Sequence, residues 1–102
     1  MVLWKMTYYI DKDKQEEYRK FAQEVSIPYW TSVPGMTEMR AYVQNGSTQL
    51  LVEMEFESGE AWGKAWDDPK TKEMSAKFSK YIHGFKWSLW DASPRMPKPI
   101  RP

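Results

Sequence analysis

NGSTQLLVEMEFES, residues 45 to 58, decides the fold. Leu50, Val52, Met54 and Phe56 fall on one side of this stretch, and Leu51, Glu53, Glu55 and Glu57 on the other. That is the period-two pattern of a strand with one apolar face. Asn45-Gly46 ahead of it predicts a tight hairpin, because both residues tolerate positive φ. The partner strand lies upstream, where Met39, Ala41 and Val43 alternate with Glu38, Arg40 and Tyr42. The chain enters it through the turn signal Pro34-Gly35.

Working outward, the same alternation opens the chain. Val2, Trp4, Met6, Tyr8 and Ile10 occupy even positions, against Lys5, Thr7 and Tyr9. Asp11 and Asp13 then offer N-caps, and Asp13 with Glu16 has capping-box spacing. Tyr18, Phe21, Ala22, Val25 and Tyr29 form the apolar stripe of an amphipathic helix. Pro28 disfavours helical geometry at Ile27, so this helix is predicted to break or kink there, with a short turn through Trp30. Beyond the hairpin, Ser58 caps a helix carrying Trp62, Ala65 and Trp66. Asp68-Pro69 starts another, with Met74, Phe78, Tyr81 and Ile82 facing inward. His83-Gly84 reads as its C-terminal cap. A last strand places Phe85, Trp87 and Leu89 on one face and Lys86, Ser88 and Trp90 on the other.

Strand, helix, strand, strand, helices, strand is an α+β order: the ferredoxin-like split β-α-β arrangement, a four-stranded antiparallel sheet with helices on one face. The domain spans residues 1–92. Residues 93–102 hold Pro94, Pro97, Pro99 and Pro102 among basic residues and read as an extended tail.

Composition narrows the classes of function. With 15 basic and 14 acidic residues the chain has no field of one sign for nucleic acid or an anionic membrane. It has no cysteine and a single histidine, which removes thiol chemistry and polyhistidine metal sites. No metal or cofactor is implied by the residues. The N-terminal apolar stretch is short, contains Lys5 and lacks a small-residue cleavage site. No run approaches the ~20 apolar residues of a membrane span, so the expectation is a cytoplasmic protein. Six Trp and six Tyr are more ring area than a core this small needs. Some of those rings are therefore expected at an interface or a pocket.

The second sheet face combines Tyr9, Tyr42, Leu51 and Trp90 with charges of both signs. That is the composition of an interface, and two copies are expected to pair through it. Glu53, Glu55 and Glu57 are read as interface charges paired with Arg40, Lys5 and Lys86, in preference to an acid/base or metal site.

Val33-Pro34-Gly35-Met36, then Glu53-Met54-Glu55-Phe56-Glu57-Ser58, then Glu60-Ala61-Trp62 with Trp66 and Asp68-Pro69, together resemble the dimeric α+β barrel superfamily. The likeness is to its antibiotic-biosynthesis monooxygenase branch and covers about residues 2 to 90. The resemblance implies a homodimer whose sheets close into a barrel, and a pocket between sheet and helices. It also implies cofactor-independent oxygenation assisted by a helical Trp, matched by Trp66 or by Trp62. The haem-ligating His of haem-degrading relatives is replaced by Ala76. The first-strand Asn of the family falls near Met6, and the chain's only Asn is Asn45 in the hairpin.

The ligand-binding candidates are Trp62 and Trp66, four apart on one helix face, with Trp4, Tyr18, Phe21 and Tyr29. The alternative for these rings is plain core packing. Trp66 is the candidate to orient a substrate, with Arg40 or His83 to polarise it. His83 has a structural alternative, an imidazole at a helix C-terminus. The expected function is a homodimeric protein binding an apolar or planar small molecule, with monooxygenase-like activity implied by the resemblance. Against it stands a non-catalytic binding or assembly module with a closed core.

Overall fold

A computed structural model describes all residues from Met1 to Pro102. The chain forms β1 (Val2–Ile10), a 3-10 turn (Lys12–Lys14), α1 (Gln15–Phe21), a π-helical turn (Ala22–Ser26) and α2 (Ile27–Thr31). Then follow β2 (Met36–Val43), β3 (Gln49–Phe56), α3 (Gly59–Asp67), α4 (Pro69–Phe78) and β4 (Ile82–Asp91). The sheet order is β2-β3-β1-β4, with every neighbouring pair antiparallel. Each crossover through helices leaves a gap one strand wide. β3 fills the gap between β1 and β2, and β1 fills that between β3 and β4. This is the ferredoxin-like architecture that the alternations predict.

Val2, Trp4, Met6 and Tyr8 on β1, and Val52, Met54 and Phe56 on β3, are buried on the helix-covered face. The register sets Trp4 beside Met54 and Leu89, and Met6 beside Val52 and Trp87. Trp30 and Ala65 close the core from the helix layer. Helices cover the two central strands best. The inner residues of the edge strands stay open, with Val43 64% and Trp87 44% exposed. No helix is long and apolar enough to cross a membrane.

Ser58 and Asp68 cap as the sequence predicts. The Ser58 hydroxyl accepts from the Ala61 N–H at 3.1 Å, and the Asp68 carboxylate from the Lys70 N–H at 2.9 Å. Several local expectations are corrected. The first helix does not break at Ile27, which is helical (φ −61°, ψ −48°). A wider turn precedes Pro28, with the Ile27 N–H reaching the Ala22 carbonyl five residues back, and the helix continues past the proline to Thr31. The Asp13–Glu16 capping box is not formed. Instead Asp11 leads a 3-10 turn closed by the Lys14 N–H on its carbonyl at 2.9 Å.

The hairpin loop is longer than two residues. Only Gly46 takes positive φ, and the turn closes from the Ser47 N–H to the Gln44 carbonyl at 3.1 Å. His83 and Gly84 do not end a helix. α4 stops at Phe78, and Gly84 (φ +65°) sits in β4 at a bulge opposite Tyr8, between the pairs Thr7–Lys86 and Tyr9–His83. A left-handed glycine serves a bulge as well as a helix cap, and the sequence signal is the same for both. Within 93–102 the chain turns where an extended run is predicted. The Ser93 hydroxyl accepts from the Arg95 N–H at 3.2 Å, and its carbonyl from the Met96 N–H at 3.1 Å.

Gly35 holds the entry to β2 against α3. Its φ is +86°, and a Cβ there would lie 2.6 Å from the Ala61 Cβ. Gly46 has a similar φ, but a Cβ there would meet nothing within 4 Å. Urea denaturation of the two alanine variants separates conformation from collision. Gly46→Ala is expected to lose about 1 kcal/mol and Gly35→Ala clearly more, about 2–3 kcal/mol. Equal losses would mean that α3 yields without cost.

Candidate functional site

Between the sheet and the helix layer lies a cavity of about 260 Å³. All four strands contribute to its floor: Met39 and Ala41; Leu50, Val52 and Met54; Trp4, Met6 and Tyr8; and Phe85. The π-helical turn and the helix after it bring Ala22, Ser26, Ile27 and Trp30 to the other side. Tyr18, Trp66, Met74, Ser75 and Phe78 complete it. Sixteen of the 18 lining residues are hydrophobic, and none is charged. The polar atoms that its side chains carry are the hydroxyls of Tyr8, Tyr18, Ser26 and Ser75 and the indole N–H groups of Trp4, Trp30 and Trp66.

One end of the cavity is walled by indoles. Trp4 meets Trp30 (5.4 Å), Trp66 (5.8 Å) and Trp62 (6.0 Å) edge-on. Trp62 stacks on Trp66 at 5.5 Å, and Trp87 leans on both. Edge-to-face contacts of this kind add to burial because the electron-poor ring edge meets the electron-rich face. The Lys72 ammonium lies 5.0 Å from the centre of the Trp66 ring. The indole N–H groups of Trp4 and Trp62 are buried without an acceptor.

The other end is phenolic. The Tyr8 and Tyr18 hydroxyls are 2.6 Å apart, and Phe78 stands edge-on to Tyr8 at 4.9 Å. Burial, then the neighbouring Tyr18 charge, pushes the Tyr8 phenol far above its ordinary value. Burial also raises Tyr18, against the opposing pull of the Tyr8 hydrogen bond. Both groups therefore remain protonated at neutral pH and act as hydrogen-bond donors, not as bases.

The structure brings Trp4, Tyr18 and Trp66 together at the cavity. Trp62 lies behind Trp66 and does not line it. Phe21 is buried against Tyr81 at 5.2 Å. Tyr29 is engaged elsewhere, its hydroxyl 2.6 Å from that of buried Thr71. Arg40 and His83 are not at the cavity. Arg40 projects from the opposite face of β2 and pairs with Glu38 at 2.6 Å (Nε to Oε1). That pairing also corrects the expected ion pairs. Lys5 and Arg40 stand opposite Glu53 in register, yet no ion pair forms to Glu53, Glu55 or Glu57. His83 is on the same outer face, stacked on Tyr9, with Nδ1 2.7 Å from Asp11 Oδ1. Its helix-dipole reading falls with the helix end. Sequence reading missed Tyr8, Trp30 and Phe78 as wall residues. For Tyr8 a signal existed: a tyrosine on the buried side of a strand must find a partner for its hydroxyl. No group of three or more His, Cys, Asp or Glu side chains converges to hold a metal.

No family model and no curated protein matches the chain. Solved structures do. A Deinococcus radiodurans protein described as a candidate antibiotic biosynthesis monooxygenase superposes with a TM-score of 0.79 at 11% identity, covering 99% of this chain and 97% of that one. SnoaB, a cofactor-independent oxygenase of Streptomyces nogalater, gives 0.76 at 12% identity over 95% and 97%. The monooxygenase ActVA-Orf6 of Streptomyces coelicolor, solved with nanaomycin D, gives 0.75 at 20% identity over 99% and 91%. At these identities the likeness is one of fold. The chain has the α+β fold of the antibiotic biosynthesis monooxygenases, as the resemblance in sequence implied.

The phenol pair sets a pH dependence of stability. Both folded-state values lie above that of a free tyrosine, about 10. The unfolded chain therefore releases these protons first. The stability they contribute is complete below about pH 10 and declines as pH rises from there toward the folded values. Urea midpoints at about pH 8 and about pH 11 are expected to fall further in the wild type than in Tyr8→Phe/Tyr18→Phe. Equal falls would show that the pair does not carry the slope.

Proposed function

We propose that this chain binds a planar, apolar molecule of about two fused rings between its sheet and helices, and oxidises it as a cofactor-independent, monooxygenase-like enzyme. The observation that carries the reading is the cavity itself, open beside Trp66 in a domain otherwise packed around large rings. Its size supports the ligand class. A cavity of roughly 150 Å³ takes one benzene ring, and 260 Å³ fits a bicyclic ring system. Trp66 and Trp4 offer aromatic walls at right angles to each other, at an interplanar angle of 88°. Such walls hold a flat ligand by stacking on one and edge contact on the other.

The oxidising half of the proposal is supported by the fold shared with cofactor-independent oxygenases. With no cofactor, the electrons that reduce dioxygen come from the ligand. A ring methylene becomes a carbonyl, one oxygen atom enters the ring, and the other leaves as water. The walls would exclude bulk water and orient the ring. A second reading, binding without turnover, is favoured by one specific observation: no charged residue and no histidine reaches the cavity to take a proton. Incubation with an activated bicyclic methylene compound under isotopically labelled dioxygen separates the two. Label in the product supports turnover, and saturable binding with unlabelled ligand recovered supports a binding protein.

We also propose that two copies pair through the outer sheet face. Tyr42 and Trp90 are 45% and 54% exposed there beside charges of both signs. A dilute-solution mass equal to one chain would reject that pairing.

For the ligand site, Trp66→Phe is the informative variant because it keeps a ring in the wall. Losing the larger indole face is expected to weaken a bicyclic ligand by roughly 1 kcal/mol, about fivefold, in titrations followed by Trp fluorescence. Trp66→Ala is expected to weaken it further and to destabilise the fold by about 3 kcal/mol. Stability loss with unchanged affinity would place Trp66 in packing alone.

A further inference from the structure

Two phenols that meet only each other leave a hydrogen-bonding remainder. Tyr8 on β1 and Tyr18 on α1 have their oxygens 2.6 Å apart, and neither hydroxyl makes a second hydrogen bond within the protein. Each carries one proton and can accept one or two. One proton is shared between the two oxygens, whichever residue donates it. The proton of the accepting phenol is then left without a protein acceptor.

The surroundings of the pair offer no protein acceptor in its place. Phe78 stands edge-on to Tyr8 at 4.9 Å and Phe85 lies at 6.2 Å, while Tyr81 is edge-on to Tyr18 at 6.4 Å. Tyr8 is 2% exposed. A buried donor without an acceptor is costly and uncommon, so such a group marks a place where something else supplies the acceptor. Both tyrosines line the cavity, the space from which that acceptor can come.

We infer that the Tyr8–Tyr18 pair is a specificity determinant at the phenolic end of the cavity, opposite the unpaired Trp4 N–H of the indole end, and donates its spare proton to a carbonyl oxygen on the ligand's ring. The inference rests on the proposed ligand-binding cavity and narrows its ligand from flat hydrocarbons to bicyclic aromatic ketones. The ring lies among the apolar walls, and its oxygen points to the phenolic end. The pair is pre-positioned by two different elements, so the donor is fixed in place before the ligand arrives. Raised phenol values keep both protons in place across the neutral and mildly alkaline range. The same property makes the pair a positioning group and disqualifies it as a base.

Calorimetric titration with two probes tests this: naphthalene, with no oxygen, and chromone, a flat bicyclic ketone. Wild-type protein is expected to bind both. Tyr8→Phe/Tyr18→Phe is expected to lose about tenfold in chromone affinity, the size of one hydrogen bond. Its naphthalene affinity should change less than about twofold. Each single Phe variant keeps one phenol with its own proton, so its chromone affinity should fall less than that of the double variant. The double variant removes both partners while keeping ring shape, and its fold is checked by thermal melting. A second readout needs no variant. The carbonyl stretch of chromone bound to the wild type should shift to lower frequency than in an apolar solvent. Unchanged chromone affinity in the double variant, or an unshifted stretch, overturns the inference while leaving the cavity reading intact. Failure of the wild type to bind either probe overturns both.

Discussion

The packing of Trp4 between the sheet and two helical segments is the contact on which the remainder of the structure depends. Its ring is 4% exposed and meets Trp30 of α2 and Trp62 and Trp66 of α3 at 5.4 to 6.0 Å. On the sheet it is flanked by Met54 and Leu89. Indoles meeting edge-on need more room between layers than aliphatic side chains do. The helix layer is thus set at a spacing fixed at the tryptophan end, and smaller residues such as Ala22, Ala41 and Val52 do not fill that spacing further along. The cavity is what remains. The rings that pack the core and the rings that wall the cavity are here the same rings, seen from two sides.

Much of this was legible from alternation alone. The even positions of β1 and β3 specify their buried face without ambiguity, because a one-residue slip would expose Trp4, Met6 and Val52 together. Ser58 and Asp68 announced their helices because each side chain has a defined backbone donor to satisfy. The misses share a cause. Gly84 is read in the sequence by what its backbone permits, and permission is not assignment. Positive φ at Gly84 fits a helix cap and a bulge equally, and only pairing with β1 decides between them. Pro28 signals a break or a kink on a local argument; the wider turn before it takes up the ring, and the helix carries on past Trp30 to Thr31.

The site was less legible than the fold for a related reason. Helical spacing shows which side of a helix faces inward but not what it meets there. Phe21, Tyr29 and Trp62 all face inward, yet each is consumed by a neighbour: Tyr81, Thr71 and Trp66. Trp4, Tyr18 and Trp66 are equally inward and reach open space. Arg40 and His83 were attractive for their chemistry, but a sheet separates them from the cavity. For Arg40, the alternation of β2 already placed it on the outer face. Chemical type nominates candidates, and the face of the element disposes of them.

The cavity is also a thermodynamic statement. In closed cores, unfilled volume destabilises by roughly 24 cal/mol per Å³. A closed and dry space of 260 Å³ would on that scale cost about 6 kcal/mol. That is comparable to the whole stability of many small domains. Openness and water reduce the figure, but apolar walls hold water weakly. Filling such a space takes few substitutions: a longer side chain at Ala22 or Ala41 would do much of it. A small domain that retains the space, keeps charge out of it, and places two protonated phenols at one end is poised to gain stability from a ligand. Occupancy at a hundred times the dissociation constant would return about 2.7 kcal/mol, so a ligand bound there would help hold the helix layer on the sheet.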